Sequence, residues 1–422
     1  MNAETAAVTI TAPPVAAMNR GWTVTFAGLG INLALGVLYS WSIFKGAIEQ
    51  SFGWEAARLN DPYAVCCLVF AFAMILAGRC QDKVGPRVTA FIGGLLVAGG
   101  LFLVSCTTDY WAWVIGFGVL VGVGIGFGYS SATPPALKWF PSSKTGLIAG
   151  LVVAGFGLAS VYIAPLSEYL LRHGGVLHAM MVYSVAFMVV VCGLALLLVN
   201  PPADYVPGGA RTAGAAVQPM AASATPSQML RTPAFHLLWT LYFIGAGAGL
   251  MVISSVSGMA KKTMGAESAF IAVAVMAIGN AAGRIVAGVL SDRIGRRMTL
   301  MLVLLVQAGL MFIAIPVTNS TDGAKYVIVL VATMIGFNYG ANLSLFPSFT
   351  KDLWGLKSFG MNYGILFTAW GVGGFALSRL AQMLKAQSGS FMSSFIVAGL
   401  LLLLGAGLTF FIRPPQTEPV AK

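Results

Sequence analysis

The stretch IGNAAGRIVAGVLSDRIGRR, residues 278–297, carries one arginine through an apolar run and then breaks into a charged turn. No residue from Ser268 to Gly283 is charged, and the next charge after Arg284 is Asp292. At a helical rise of ~1.5 Å per residue, Arg284 stands about 12 Å before that aspartate. That depth is well inside a hydrocarbon layer roughly 30 Å thick. A charge so placed costs about 2.5–3.5 kcal/mol or more, and by default it marks a substrate or ion pathway. Asn280 lies one helical turn earlier, on the same face.

The whole chain has the composition such a reading needs. Of its 422 residues 58% are hydrophobic and 9% are charged, with a mean hydropathy of +0.86. A soluble domain is about 25% charged, and no protein core could hold this much apolar surface away from water. Lipid is therefore the expected solvent. The net charge of +11 does not point to nucleic acid, because the basic residues sit in short turns between apolar runs and form no basic stripe with interleaved aromatics. Cys66, Cys67, Cys80, Cys106 and Cys192 show neither metal-ligand nor disulfide spacing. His173, His178 and His236 are scattered at loop edges, so no metal site and no catalytic pair is expected. The chain is not read as an enzyme, and no cofactor is implied.

Twelve stretches are long and apolar enough to cross a bilayer: 22–43, 63–79, 88–106, 111–132, 145–168, 177–199, 236–258, 268–289, 298–318, 325–349, 359–382 and 392–412. An even number puts both termini on one side. Fifteen lysines and arginines fall on that side and eight on the other, which makes the termini cytoplasmic. The expected organisation is a disordered tail (1–20), a six-helix bundle (21–199), a cytoplasmic linker (200–235), a second six-helix bundle (236–412) and a short tail (413–422). The linker assignment follows from its Pro, Gly, Ala and Ser content without apolar periodicity.

Internal repetition supports that division. GRCQDKVGPR (78–87) follows the second stretch, and GVLSDRIGRR (288–297) follows the eighth, 210 residues later. WFPSS (139–143) and LFPSF (345–349) recur in the same way, 206 residues apart. In the twin turns an aspartate, Asp82 or Asp292, can accept from arginines such as Arg87 and Arg296 and from the N-terminus of a neighbouring helix. Turns built this way would join the two halves and part as they rock. Repeats that meet at the bilayer midplane are how many secondary transporters are made.

The paired turn resembles the loop signature of the major facilitator superfamily, over the whole length of the chain. That resemblance implies an all-α membrane protein of twelve transmembrane helices in two pseudo-symmetric six-helix bundles. A narrower one lies in GVLYSW (36–41), GYSSATPPALKWFP (128–141), KWFPSSKTGLIAGLVVAGFG (138–157), the Asn280/Arg284 pair and MNYG (361–364). These are similar to the oxalate/formate antiporter family, which includes bacterial lactate transporters and is related to animal monocarboxylate transporters. The resemblance implies that Arg284 takes the substrate carboxylate with Asn280 beside it. It also implies that Tyr39, Tyr129 and Tyr339 wall the cavity, with Phe367 and Trp370 packing near the substrate. Where the oxalate exchanger has a lysine on its eleventh span, this chain has Trp370.

A single intramembrane cation favours one carboxylate over two, and the guanidinium fork suits that group. No acidic residue in the interior of a span is set to neutralise Arg284. The glycines of the fourth and seventh stretches, Gly122 to Gly128 and Gly245 to Gly249, read as helix-packing positions. They do not form a nucleotide loop, because no strand precedes them. The expected function is transport of a small organic monoanion such as lactate or pyruvate through the inner membrane, by alternating access and with protons. Organic-anion exchange is the alternative. The expected partners are the substrate, protons and the lipid bilayer, in a monomer that binds no nucleic acid.

Overall fold

A computed structural model describes the backbone of residues 19–55, 58–202, 205–207, 223–319, 325–389 and 392–412. It describes their side chains except at 39–40, 42, 252–273, 317–319, 325–326 and 328. Most of the expected N-terminal tail, the middle of the linker (208–222) and the C-terminal tail lie outside the described residues.

Every regular element among the described residues is helical. Hydrocarbon offers no partner to backbone N–H and C=O groups, so a spanning segment must satisfy them within itself. Span 1 is Gly21–Leu35, which tightens into a 3₁₀ turn at Gly36–Ser40 and ends in the short helix Trp41–Phe52. Span 2 is Asp61–Lys83, span 3 Pro86–Ser105 and span 4 Tyr110–Trp139, the last with a π-helical stretch over Val114–Val121. Spans 5 (145–174) and 6 (176–195) share one helical run, Thr145–Ala195. Gly175 breaks it with φ 74°, a left-handed value that only glycine adopts freely.

Spans 7 and 8 share the run Pro233–Ile294, in which Pro233–Met251 and Ala274–Ile294 are apolar enough to cross. The run must reverse direction, because Gly249 lies against Tyr339 while Asn280 lies against the next residue, Gly340. A straight helix would set positions 249 and 280 about 46 Å apart. Spans 9 to 12 are Arg296–Asn319, Lys325–Trp354, Phe359–Ser388 and Met392–Leu408. Large apolar side chains such as Leu76, Phe102, Val189, Ile313 and Leu404 face outward. Such a rim is stable only against lipid, and the protein is a multi-pass membrane protein.

The helical boundaries differ from expectation at the linker. Span 6 ends at Ala195, and regular structure resumes at the turn Pro226–Leu230, before span 7 begins at Pro233. Capping explains the early restart: Thr225 and Gln228 form a reciprocal capping box, and Thr232 accepts from the Phe235 N–H. Ala224 is held by the Trp354 carbonyl and by the Asn362 side chain, which ties this end of the linker to the turn between spans 10 and 11.

Candidate functional site

The two bundles meet along two helix crossings, span 5 with span 8 and span 2 with span 11. Both are built on glycines that leave no room for a side chain. A Cβ at Gly146 would overlap the Gly288 carbonyl, and one at Gly78 would overlap the Gly360 carbonyl. Farther into the membrane, Gly150 abuts the Arg284 carbonyl and Gly364 abuts the Met74 carbonyl. This is the small-residue approach that lipid-embedded helices use in place of hydrophobic packing.

Arg284 sits on the first of these crossings and is only 1% exposed. Its Nε donates to Asn280 Oδ1 at 2.9 Å, and Nη1 donates to the Val153 carbonyl of span 5. Nη2 is buried and has no hydrogen-bond partner among the described residues. No salt bridge reaches Arg284 among the described residues. The side chain therefore reaches from one half to the other with its charge uncompensated by any described carboxylate. Asn280, one turn away, thus accepts from the guanidinium on its own helix.

Next to this pair is a continuous aromatic wall. Phe156, three residues beyond Val153, meets Tyr129 with ring centroids 5.6 Å apart. Tyr129 packs on Phe367 at 5.4 Å, and Phe367 stacks on Trp370 at 5.1 Å. Trp370 Nε1 donates to the Tyr339 hydroxyl at 2.8 Å, and Tyr339 neighbours Gly340, which abuts the Asn280 carbonyl. Contacts thus run from Arg284 through span 5, span 4, span 11 and span 10 and back to Asn280. Phe70 of span 2 closes the middle, 5.5 Å from Tyr129, 5.1 Å from Phe367 and 5.4 Å from Trp370. Of the residues expected at the site, Arg284, Asn280, Tyr129, Tyr339, Phe367 and Trp370 are brought together. The Tyr39 side chain lies outside the described residues.

The twin turns close one face of the molecule. Asp82 accepts from the backbone N–H groups of Gly360 and Met361, both at 2.9 Å. Asp292 accepts from those of Gly146 and Leu147, at 2.8 and 2.9 Å. Each aspartate therefore caps the N-terminus of a helix in the opposite half, and neither helix has a side-chain cap of its own. A carboxylate at that end also meets the favourable end of the helix dipole. Arg296 holds Asp292 at 2.6 Å and Asp352 at 2.9 Å. Arg87 does not pair with Asp82: its Nε donates to the Leu198 carbonyl at 3.2 Å. In the repeat Arg87 is the counterpart of Arg297, and the counterpart of Arg296 is Pro86, so the first turn has no arginine in the pairing position.

Two half-bundles joined at glycine crossings, with capped turns at matching places, form a fold with known relatives. Residues 22–378 match the profile of the Major Facilitator Superfamily. The chain belongs to that superfamily. It is 26% identical over 405 residues to the oxalate:formate antiporter of Oxalobacter formigenes, covering 96% of this chain and 94% of that protein. It is 26% identical over 408 residues to monocarboxylate transporter 13 of Bos taurus, covering 94% and 92%. The proton:xylose symporter XylE superposes with a TM-score of 0.73 at 12% identity over 94% of this chain and 97% of its own, a likeness of fold.

Within this major facilitator fold several participants escaped sequence reading. The Val153 carbonyl is invisible to it, since every residue has one. Phe70 and Phe156 carry no signal as single apolar residues, and only the register of the glycine crossings makes them the counterparts of Asn280 and Trp370 in the repeat. Asp352 belongs to neither copy of the turn motif, so no sequence signal ties it to Arg296. In the fold, Lys351 Nζ reaches Thr145 Oγ1 of span 5 at 2.7 Å, another tie between the halves.

Proposed function

We propose that this protein is a secondary active transporter of small monocarboxylates such as lactate or pyruvate. It would work by alternating access of a midplane site between its two halves, in the inner membrane with both termini cytoplasmic, and with proton symport as the energy source. One observation carries the reading: Arg284 is buried at the junction of the halves, has an unpartnered Nη2 and has no carboxylate partner among the described residues. A substrate carboxylate is the group that a free guanidinium edge in a low-dielectric site binds best. Asn280 orients that edge, and the rings of Tyr129, Phe156, Phe367 and Trp370 offer an apolar wall to a short tail. The twin turns, with Asp82, Asp292 and Arg296, would open and close the cytoplasmic face. The names of the relatives, an oxalate:formate antiporter and a monocarboxylate transporter, agree with an organic acid as substrate.

Exchange of organic anions is the second reading, favoured by the antiporter that matches nearly the whole chain. Charge number separates the two. Trp370, committed to Tyr339 and stacked on Phe367, stands where the exchanger has a lysine. A dianion would thus leave one carboxylate unpaired in a dry site, which is strongly unfavourable. The deciding experiment is uptake of labelled lactate into proteoliposomes under an imposed pH gradient, with unlabelled oxalate as competitor. Uptake that follows the gradient and resists oxalate is expected. Oxalate competing as well as lactate would put exchange first. Arg284→Gln and Arg284→Lys should each lose nearly all uptake, because lysine keeps the charge but not the fork. Native rates in a correctly inserted Arg284→Gln protein would end the carboxylate assignment.

A further inference from the structure

The two crossings are copies in register, so each residue of one has a mate in the other. Gly288 on Gly146 corresponds to Gly78 on Gly360, and the Arg284 carbonyl on Gly150 corresponds to the Met74 carbonyl on Gly364. Ala281 beside Gly157 corresponds to Ala71 beside Gly371. The capping aspartates, Asp292 on Gly146 and Asp82 on Gly360, keep the same spacing. The mate of Arg284 is therefore Met74, and the mate of Asn280 is Phe70. Met74 is fully buried. Phe70, one turn away on the same helix face, meets Tyr129, Phe156, Phe367 and Trp370. One crossing thus presents a polar pair to the junction of the halves, and its copy presents a thioether and a phenyl ring.

We propose that Met74 is a specificity-determining residue, the apolar counterpart of Arg284, that limits the site to substrates with one carboxylate and an uncharged far end. The inference rests on Arg284 as the carboxylate site and adds where the rest of the substrate goes. With its charge at Arg284, a short acid lies across the junction and points its tail at Met74 and Phe70. An apolar tail gains by leaving water, and an unbranched thioether adapts to tails of different shape. A second carboxylate in the same place would meet no donor from this pair. The fold supplies the backbone setting for a second cation at position 74, and the sequence fills it with methionine.

The test compares purified native protein with Met74→Lys, Met74→Gln and Arg284→Gln, reading thermal protection across lactate and malonate titrations. Met74→Lys should raise the affinity for malonate relative to lactate by about tenfold or more, the scale of one buried charge pair. Met74→Gln, nearly the same length and uncharged, should raise the ratio about threefold through an added hydrogen bond. If Met74→Lys fails to insert, the Met74→Gln ratio decides alone. A native ratio in every Met74 variant that inserts, with lactate still protecting native protein and not Arg284→Gln, overturns the role of Met74 and leaves the carboxylate site standing. Absence of lactate protection in native protein, or its survival in Arg284→Gln, removes the carboxylate site, and the Met74 assignment falls with it.

Discussion

The turn after span 2 and the turn after span 8 perform one task with unequal means. Both send an aspartate across the junction onto two backbone N–H groups at the start of a helix in the other half. Around Asp292 the site is crowded with charge: Arg296 binds it at 2.6 Å, binds Asp352 at 2.9 Å and also donates to Ser291 Oγ. Around Asp82 the corresponding places hold Pro86 and Gln81, and both side-chain polar atoms of Gln81 are buried without a hydrogen-bond partner among the described residues. The shared part of the motif is the cap, and the arginine is an addition that one half has and the other lacks. Closure of this face should therefore be uneven, firm at the crossing of spans 5 and 8 and looser at that of spans 2 and 11.

Hydrogen exchange at the capped amides can break or sharpen this contrast. The largest effect is expected for Asp292→Asn. The Asp292 and Arg296 side chains are 9% and 11% exposed, and removing one member of so buried a pair costs about 3–5 kcal/mol. Exchange at Gly146 and Leu147 should speed up by roughly a hundredfold or more on that scale. Asp82→Asn removes charge-assisted caps worth about 1.5–3 kcal/mol, so Gly360 and Met361 should exchange about ten- to a hundredfold faster. In both variants lactate binding in detergent should stay near native, while transport slows as the balance between inward- and outward-open states shifts. Equal effects at the two turns would show that Arg296 adds nothing, and a comparable loss of binding would assign the turns to folding. The smallest effect belongs to Pro86→Arg, which restores the missing arginine at the first turn of span 3. A partly exposed pair contributes ~1 kcal/mol or less, so protection at Gly360 should rise by less than about fivefold. No change there would mean that the first turn lacks the geometry for the pair as well as the residue.

How far the sequence could be read depended on whether a property repeats. Spans are legible because hydrocarbon demands some twenty apolar residues at a time. The two halves are legible because their turns recur at a constant interval. Arg284 and Asn280 stood out as polar residues where polarity is costly. Legibility ended where meaning depends on a partner from another helix. Nothing in Arg87 reveals that it serves the Leu198 carbonyl, and nothing in Met74 reveals its role until glycine packing fixes which residue faces which. The linker expected over 200–235 includes the short helix Pro226–Leu230 and the start of the helix at Pro233, because a capping box in a Pro- and Ser-rich segment resembles loop composition until the helix after it is seen.

The bond from Arg284 to the Val153 carbonyl has a consequence for the empty carrier. A main-chain carbonyl takes one N–H of Nη1 and brings no counter-charge, so on the proposed reading it would compete with the substrate for the guanidinium. On the proposed reading, an acid that took the N–H now given to Val153 would have to loosen span 5 first, and that cost would be subtracted from its affinity. The same helix begins at Thr145, and Asp292, eight residues beyond Arg284 on its own helix, holds it by the Gly146 N–H. Loading would therefore release span 5 at one point while Asp292 still grips it at another. On the same reading an unloaded protein would keep both grips, which would oppose cycling without cargo.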